Sequence, residues 1–213
     1  MNSCGGCKNC KKGFYDDVIH CLVSALDYRD HYTKGHSGRV GDIAFELADI
    51  MGMDENMKEL IHIAGHLHDI GKIGIADQIL LKKGALTEVE WGIMKKHPQI
   101  GADIVEKASS LKMVGQIILQ HHERWDGKGY PNGLIGDEIH IAARVIALCD
   151  TVDAMASRRP YRENFDWEQI YREIKSCSGT QFDPGLSPYM DDLIRLFKRY
   201  NSHRVDASHA KFG

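Results

Sequence analysis

The stretch HIAGHLHDIGKIGI, residues 62–75, says most about the fold of this chain. Its apolar residues recur at helical spacing, and His68 and Asp69 interrupt them side by side. Burying a charged side chain without a partner is costly, so this pair requires either a ligand or hydrogen-bond partners. A metal ion would satisfy both side chains, although buried Asp–His pairs also occur without metal. The stretch therefore predicts a buried helix that ends at a polar site.

Helical periodicity continues on both sides of this stretch and predicts an all-α fold. Strand-like alternation is nearly absent. One helix is predicted from an Asp54 N-cap to about Ile70, where Gly71 ends it. Other helices are predicted over 14–32, 40–50, 111–123, 139–156, 167–177 and 188–200. Another helix begins after Thr87, which precedes Glu90 in a capping-box arrangement, and should break or kink at Pro98.

Length and composition restrict the class of protein. The 213 residues are enough for one compact domain, which we assign to residues 14–213, preceded by a cysteine-containing tail, 1–13. A composition of 43% hydrophobic and 27% charged residues argues against a disordered, a collagen-like or a membrane-spanning chain. A net charge of −3 without a basic block argues against a nucleic-acid polymer as partner. MNSCGGCKNCKKGF has no hydrophobic stretch, which predicts a cytoplasmic protein and no membrane association.

Potential metal ligands lie on, or at the ends of, the predicted helices. They are His36, His68, Asp69, His97, His121, His122 and Asp150. Imidazole and carboxylate together suit iron, manganese or zinc, and the absence of thiolates near them argues against a purely structural zinc site. The other histidines are interpreted as hydrogen-bonded core or surface residues: His20, His31, His62, His66, His140, His203 and His209.

Cysteines form one tight group near the amino terminus, at positions 4, 7 and 10. Two-residue gaps are typical of metal or iron–sulfur ligands, but Cys4, Cys7 and Cys10 supply only three thiolates. A fourth ligand would have to be Cys21, His20 or a group from another chain. A reduced tail without metal and an adventitious zinc binder are the alternatives. The scattered Cys21, Cys149 and Cys177 are predicted to be small buried apolar residues.

The segment WDGKGYPNGLIG, residues 125–136, predicts an exposed, tightly turned loop because of its glycines and Pro131. It is not a P-loop, since it lacks the Gly-Lys-Ser/Thr ending and does not follow a strand.

Several separated motifs resemble the motifs of one protein family and occur in the same order as in that family. HLHDIGKI (66–73), HHERWDGKGYP (121–131) and CDTVDAMASRRPYR (149–162) resemble the HD-GYP family of cyclic di-GMP phosphodiesterases, a branch of the HD-domain metal-dependent phosphohydrolases. The resemblance covers about Tyr15 to Tyr200, and its naming residues are His68-Asp69 and Gly129-Tyr130-Pro131. It implies a compact HD-domain helical bundle with a glycine-rich GYP loop and a role in bacterial second-messenger signalling.

The resemblance also implies a metal centre made of two divalent ions. His36, His68, Asp69 and Asp150 would hold one ion and Asp69, His97, His121 and His122 the other, with Asp69 bridging them. Iron or manganese is the expected metal, and the ligand set also suits zinc, cobalt or nickel. Some family members recruit a third metal through a glutamate four residues before the first histidine. Tyr32 occupies that position here, which predicts two metals.

Hydrolysis of cyclic di-GMP to pGpG, and onward to GMP, is the activity that the resemblance implies, with a hydroxide held between the two ions. Lys72 would contact the phosphate or assist the leaving group. Asp153 would pair with Lys72 or orient a ligand. Arg159, Arg162 and Tyr130 would contact the substrate.

Two alternatives stay open. The first is a phosphodiesterase for another cyclic dinucleotide, such as cyclic GMP-AMP. The second is a weakly active nucleotide-binding module that interacts with diguanylate cyclases. A diguanylate cyclase, another signalling protein and a second copy of the chain, as a homodimer, are the candidate partners.

Overall fold

A computed structural model describes residues 8–29, 35–157 and 166–209, and the side chains of 17–29, 35–157 and 166–201. The α-helices in these parts are α1 (Lys8–Arg29), α2 (His36–Ile50), α3 (Glu55–Leu67), α4 (Asp77–Leu80), α5 (Glu88–Met94), α6 (His97–Val105), α7 (Lys112–Gln120), α8 (Ile141–Ala156), α9 (Trp167–Ser176) and α10 (Met190–His209). Short 3₁₀-helices cover Ile70–Gly74, Ser109–Leu111, Gly136–Glu138 and Pro184–Tyr189. The described residues include isolated β-bridges but no strand, which confirms the all-α prediction.

Two predicted helix starts are confirmed by their side-chain caps. The Asp54 carboxylate accepts a hydrogen bond of 2.9 Å from the amide of Met57 at the start of α3. Thr87 and Glu90 form the predicted capping box at the start of α5. Each cap satisfies amides that the first turn of a helix leaves unpaired.

The prediction of one helix interrupted at Pro98 was only partly right. Helix α5 already ends at Met94, and Pro98 lies in the first turn of a separate helix, α6. Proline is favoured there because its missing amide hydrogen would have no partner in the first turn. The new helix therefore begins at His97, which places that side chain at a helix end.

The predicted helix end near Ile70 was also wrong by about one turn. Helix α3 ends at Leu67, and the chain continues into the 3₁₀-helix Ile70–Gly74. A Cβ atom added to Gly71 would lie 1.9 Å from the carbonyl oxygen of His97, so this backbone packs directly on the start of α6. Only glycine permits this approach, and it brings the segment around Asp69 against His97.

Helices α2, α3, α7 and α8 share the main hydrophobic core. Ile43, Leu47, Ile61, Ile117 and Ile146 are fully buried in it. Helices α2 and α3 approach very closely, since a Cβ added to Gly65 would lie 2.7 Å from the Cα of Gly41. This tight pair supports both histidine clusters described below.

The amino-terminal predictions have mixed outcomes. Helix α1 begins at Lys8 and crosses the expected boundary between 1–13 and 14–213, and that division stays a prediction. Cys4 and Cys7 lie outside the described residues, as does the side chain of Cys10.

Of the scattered cysteines, Cys149 is buried as predicted, but Cys177 is half-buried and Cys21 is exposed. The prediction was wrong for Cys21 because that side chain lies on the solvent side of α1. None of the helices in the described ranges combines the length and the apolar character that crossing a bilayer requires.

Candidate metal centre

The predicted ligands converge from five separate segments. His36 and His97 begin α2 and α6, His68-Asp69 and His121-His122 directly follow α3 and α7, and Asp150 lies within α8. The ring centroids of His36 and His68 are 5.3 Å apart, those of His68 and His121 5.1 Å, and those of His97 and His122 4.9 Å. Helix ends thus bring six of the predicted side chains to one site, where Asp150 of α8 joins them.

Asp69 lies between two groups of histidines. Its Oδ2 atom is 3.4 Å from Nε2 of His68 and 4.0 Å from Nε2 of His36. Its Oδ1 atom is 3.5 Å from Nε2 of His97. Asp150 lies on the same side as His36 and His68, and its Oδ1 atom is 3.1 Å from Nε2 of His36. The two oxygens of Asp69 therefore face different ligand groups.

Backbone carbonyls orient three of the rings. Nδ1 of His68, His97 and His121 lies 2.7, 2.9 and 2.6 Å from the carbonyl oxygens of Gly65, Met94 and Ile118, respectively. A carbonyl oxygen only accepts, so each Nδ1–H donates and leaves the Nε2 lone pair available. These carbonyls belong to the last turns of α3, α5 and α7, where helices leave acceptors without internal partners.

His36 is oriented by a carboxylate instead. Its Nδ1 atom is 2.7 Å from Oδ2 of Asp153, and Arg39 donates to both oxygens of Asp153, at 2.7 and 2.8 Å. Sequence reasoning left two roles open for Asp153, and these contacts correspond to orienting a ligand. It did not include Arg39, although the spacing of one helical turn from His36 is a usable signal.

The donor set fits divalent metal ions. Nε2 of His68 is buried without a hydrogen-bond partner among the described residues, although Oδ2 of Asp69 lies 3.4 Å away. Burial lowers the pKa values of His97 and His121, and it lowers the pKa of His122 to about 4, so these rings are neutral near pH 7. Neutral imidazoles and ionised carboxylates are the forms that bind metal.

The carboxylates remain ionised despite burial. Burial alone would raise the pKa of Asp69, but the ammonium group of Lys72 makes the largest opposing contribution, and the pKa is held well below its usual value. Burial likewise opposes protonation of His36, but Asp150 and Asp153 outweigh it and raise the pKa of His36 to about 10. A metal ion at this site would therefore displace a proton from His36.

Lys72 contacts the central carboxylate directly. Its Nζ atom lies 2.6 Å from Oδ2 of Asp69. The 3₁₀ segment that carries Lys72 is held by Arg29 of α1, which donates to the carbonyls of Lys72 and Ile73 at 2.9 and 2.6 Å. Arg29 was not predicted, because no local pattern links α1 to residues more than forty positions away.

The glycine-containing loop lies beside the second ligand group. The ring of Tyr130 stacks on His122 with centroids 4.8 Å apart. Glu123 is buried and accepts hydrogen bonds from the amides of Asn132 (2.7 Å) and Leu134 (3.1 Å). Glu123 was not predicted, and its place directly after the two histidines was the available signal.

Three predicted residues, Tyr32, Arg159 and Arg162, lie outside the described residues. The substrate contacts of both arginines, and the two-metal count drawn from Tyr32, stay predictions.

Comparison with known proteins gives consistent matches. The sequence profile of the HD domain family matches residues 21–186. A cyclic di-GMP phosphodiesterase of Thermotoga maritima is 46% identical over 173 residues, which cover 80% of this chain and 47% of that protein. The cyclic di-GMP phosphodiesterase response regulator RpfG of Xanthomonas campestris is 39% identical over 181 residues, 84% of this chain and 47% of that protein. The chain thus spans about half the length of these curated relatives.

A solved structure shares the fold. The cyclic GMP-AMP specific phosphodiesterase V-cGAP3 of Vibrio cholerae superposes with a TM-score of 0.65 over 84% of this chain and 48% of that one. Sequence identity is 19%, so this likeness concerns the fold alone.

Proposed function

The chain belongs to the HD domain family, in its HD-GYP branch, and we therefore propose that it hydrolyses cyclic di-GMP at a dinuclear metal centre. The position of Asp69 is the observation that carries the proposal. One of its oxygens faces His36 and His68, and the other faces His97. A carboxylate placed in this way can bridge two ions that the two ligand groups hold.

The proposed ligand groups are those that the family resemblance implies, and these contacts support them. His36, His68, Asp69 and Asp150 would hold one ion, and Asp69, His97, His121 and His122 the other. Iron or manganese suits a set of imidazole and carboxylate ligands, and zinc, cobalt and nickel suit it as well. When bound, such ions would lower the pKa of a water molecule and neutralise phosphate charge.

The surrounding side chains have separate roles in this proposal. Lys72 lies at the bridging carboxylate, where its ammonium can contact a phosphate oxygen or the leaving group. Asp153 holds the ring of His36 in place. Tyr130, stacked on His122, lies where it can contact a nucleotide, and Arg159 and Arg162 would bind phosphate oxygens with their guanidinium groups.

We propose cyclic di-GMP as the substrate because the relatives with 46% and 39% identity are cyclic di-GMP phosphodiesterases. We propose pGpG as the product, with onward cleavage to GMP. Cyclic GMP-AMP, on which the Vibrio phosphodiesterase acts, is the second substrate to compare with cyclic di-GMP. A cytoplasmic location, a signalling partner and a homodimer remain predictions from the sequence.

The decisive experiment follows cyclic di-GMP and cyclic GMP-AMP by chromatography with the full chain, purified without oxygen and analysed for metal. Asp69→Asn removes the bridging charge but keeps the side-chain shape. Activity should fall more than about 100-fold, beyond the loss typical of residues that only orient metal ligands. Asp103→Asn is the matched control, because Asp103 is an exposed carboxylate on α6.

If the metal-loaded wild-type protein leaves both dinucleotides intact, the enzyme proposal is contradicted and a binding module is favoured. One ion, or three, per HD centre would contradict the dinuclear proposal. Faster turnover of cyclic GMP-AMP than of cyclic di-GMP would replace the substrate.

A further inference from the structure

A second cluster of metal-ligating side chains lies on the α2–α3 pair. Asp42 comes from α2, and His62 and His66 lie four residues apart on α3, so they share one helix face. Their Nε2 atoms are 3.1 Å apart, and each lies 3.2 Å from Oδ1 of Asp42. Three potential ligand atoms thus form a nearly equilateral triangle.

Protons alone satisfy this triangle only by crowding two donors onto one carboxylate oxygen. The carboxylate oxygen is an acceptor, and each Nε2 atom carries either one proton or one lone pair. If both His62 and His66 are protonated at Nε2, both N–H groups donate to the same oxygen of Asp42, and the two donor nitrogens lie only 3.1 Å apart. If either Nε2 is unprotonated, its lone pair faces Oδ1 of Asp42 at 3.2 Å. Every arrangement leaves one contact between like groups, whereas a central cation attracts all three atoms.

The distances between the three ligand atoms match those between three ligands of one tetrahedral metal ion. Three donors held about 2.0–2.1 Å from one ion at tetrahedral angles lie about 3.3–3.4 Å apart. The observed separations of 3.1 and 3.2 Å are close to this spacing. Two imidazoles and one carboxylate suit borderline divalent metals, and two histidines at this helical spacing recur in zinc sites.

Neighbouring residues support the same geometry. Gly41 makes room for the ring of His66, since a Cβ added there would lie 2.5 Å from Cδ2 of that ring. The hydroxyl of Tyr200, on α10, donates to the other oxygen of Asp42 and orients the carboxylate. The side chain of His66 is 2% exposed, but those of His62 and Asp42 are 30% and 35% exposed. An ion could enter from solvent and keep water at its open positions.

We propose that Asp42, His62 and His66 form a second metal site, separate from the HD centre, which binds one zinc-like divalent ion. The ion would join α2 to α3 and, through Tyr200, hold α10 against them. This role goes beyond the proposed activity and does not depend on it, because none of the three residues belongs to the seven ligands of the HD centre.

The test is a zinc titration of the metal-stripped full chain, followed by calorimetry and by metal analysis after desalting. His62→Gln and Asp42→Asn each remove one ligand at a partly exposed position. His140→Gln is the matched control, since His140 is a partly buried histidine that caps α8. We expect wild type and control to bind one more zinc equivalent than either cluster variant.

The same comparison in an Asp69→Asn background separates this site from the HD centre. The difference of one equivalent should persist there even though the HD centre is impaired. Zinc at about one hundred times its dissociation constant should also raise the unfolding midpoint of wild type and of Asp69→Asn by about 5–10 °C. The His62→Gln variant should show a rise smaller by this amount in both backgrounds, because zinc bound at the HD centre stabilises the protein on its own.

Equal zinc stoichiometry in wild type, His62→Gln and Asp42→Asn would overturn the proposal. If both cluster variants fail to fold, ring nitrogen NMR of wild type decides. Zinc must then shift the Nε2 resonances of two histidines beyond the five of the HD centre, and the absence of such shifts would overturn the proposal.

Discussion

Two histidine–aspartate clusters share helix α3, and they differ in how the second ring nitrogen is bonded. His68 lies just beyond the end of α3 and donates through Nδ1 to the carbonyl of Gly65. His66 lies inside the helix, and its Nδ1 atom is buried without a hydrogen-bond partner in the described part of the chain. Carbonyls inside a helix are already bonded along the helix, whereas those of the last turn are free to orient a ligand.

The two clusters contain the same residue types, but hydrogen bonds orient the side chains of one cluster more fully before a metal ion binds. Helix-end carbonyls and Asp153 orient the rings of the HD centre, so little ordering remains when an ion binds. In the second cluster, the hydroxyl of Tyr200 orients the carboxylate of Asp42, and among the described residues no carbonyl orients the ring of His66 through Nδ1. We therefore expect the HD centre to bind metal more tightly than the second cluster.

The largest effect should come from His97→Gln, which removes one of the proposed ligands of the second ion in the proposed dinuclear centre. Activity should fall more than about 100-fold, since ligand loss exceeds the loss of an orienting group. The protein should lose one HD-centre metal but keep the zinc equivalent of the Asp42–His62–His66 cluster. Metal analysis and cyclic di-GMP turnover measure both effects, with His140→Gln as control. Loss of all metal from both clusters would show that the clusters are not independent.

An intermediate effect is expected from Asp153→Asn, which weakens the orientation of His36 without removing a ligand. Metal affinity and turnover should each fall about 10–100-fold. Excess manganese should restore part of the turnover, because the ligands themselves are intact. Asp153 also binds Arg39, so unfolding must be followed in parallel. A turnover deficit that manganese leaves unchanged would indicate a role other than positioning.

The smallest effect should come from Tyr200→Phe, which removes one hydrogen bond to Asp42 at a partly exposed site. The free energy of unfolding should fall by about 1 kcal/mol without metal. Zinc affinity of the second cluster should fall about tenfold, while cyclic di-GMP turnover stays unchanged. Urea unfolding and calorimetry measure these values, and Tyr171→Phe on α9 is the control. Equal zinc affinity in both variants would remove Tyr200 from the site.

Local features of the fold were predictable because their signals are local. The caps at Asp54 and Thr87 depend on residues within three positions of each helix start, and both were confirmed. The true end of α3 was not predictable, because it depends on packing of Gly71 against His97, a residue of another helix. Local patterns likewise gave no indication that Arg29 holds the 3₁₀ segment carrying Lys72.

The candidate site shows the same division. Its seven candidate ligands were identified from buried polar residues and a family resemblance, and all seven side chains meet in one place. The contacts of Arg39 with Asp153 and of Glu123 with the loop were not found, because each requires knowing which side chains face each other. His62 and His66 were interpreted as ordinary histidines, since Asp42 lies twenty or more residues away in sequence.

The sequence by itself determined that the chain is helical and which side chains are able to bind metal, since periodicity and ligand chemistry are properties of single residues and their near neighbours. Only the tertiary structure decided how those side chains are grouped. The glycine contacts at Gly41, Gly65 and Gly71 set how closely α2, α3 and α6 approach. That spacing places Asp69 between two histidine groups and closes the Asp42–His62–His66 triangle, because distances between ligands depend on helix packing.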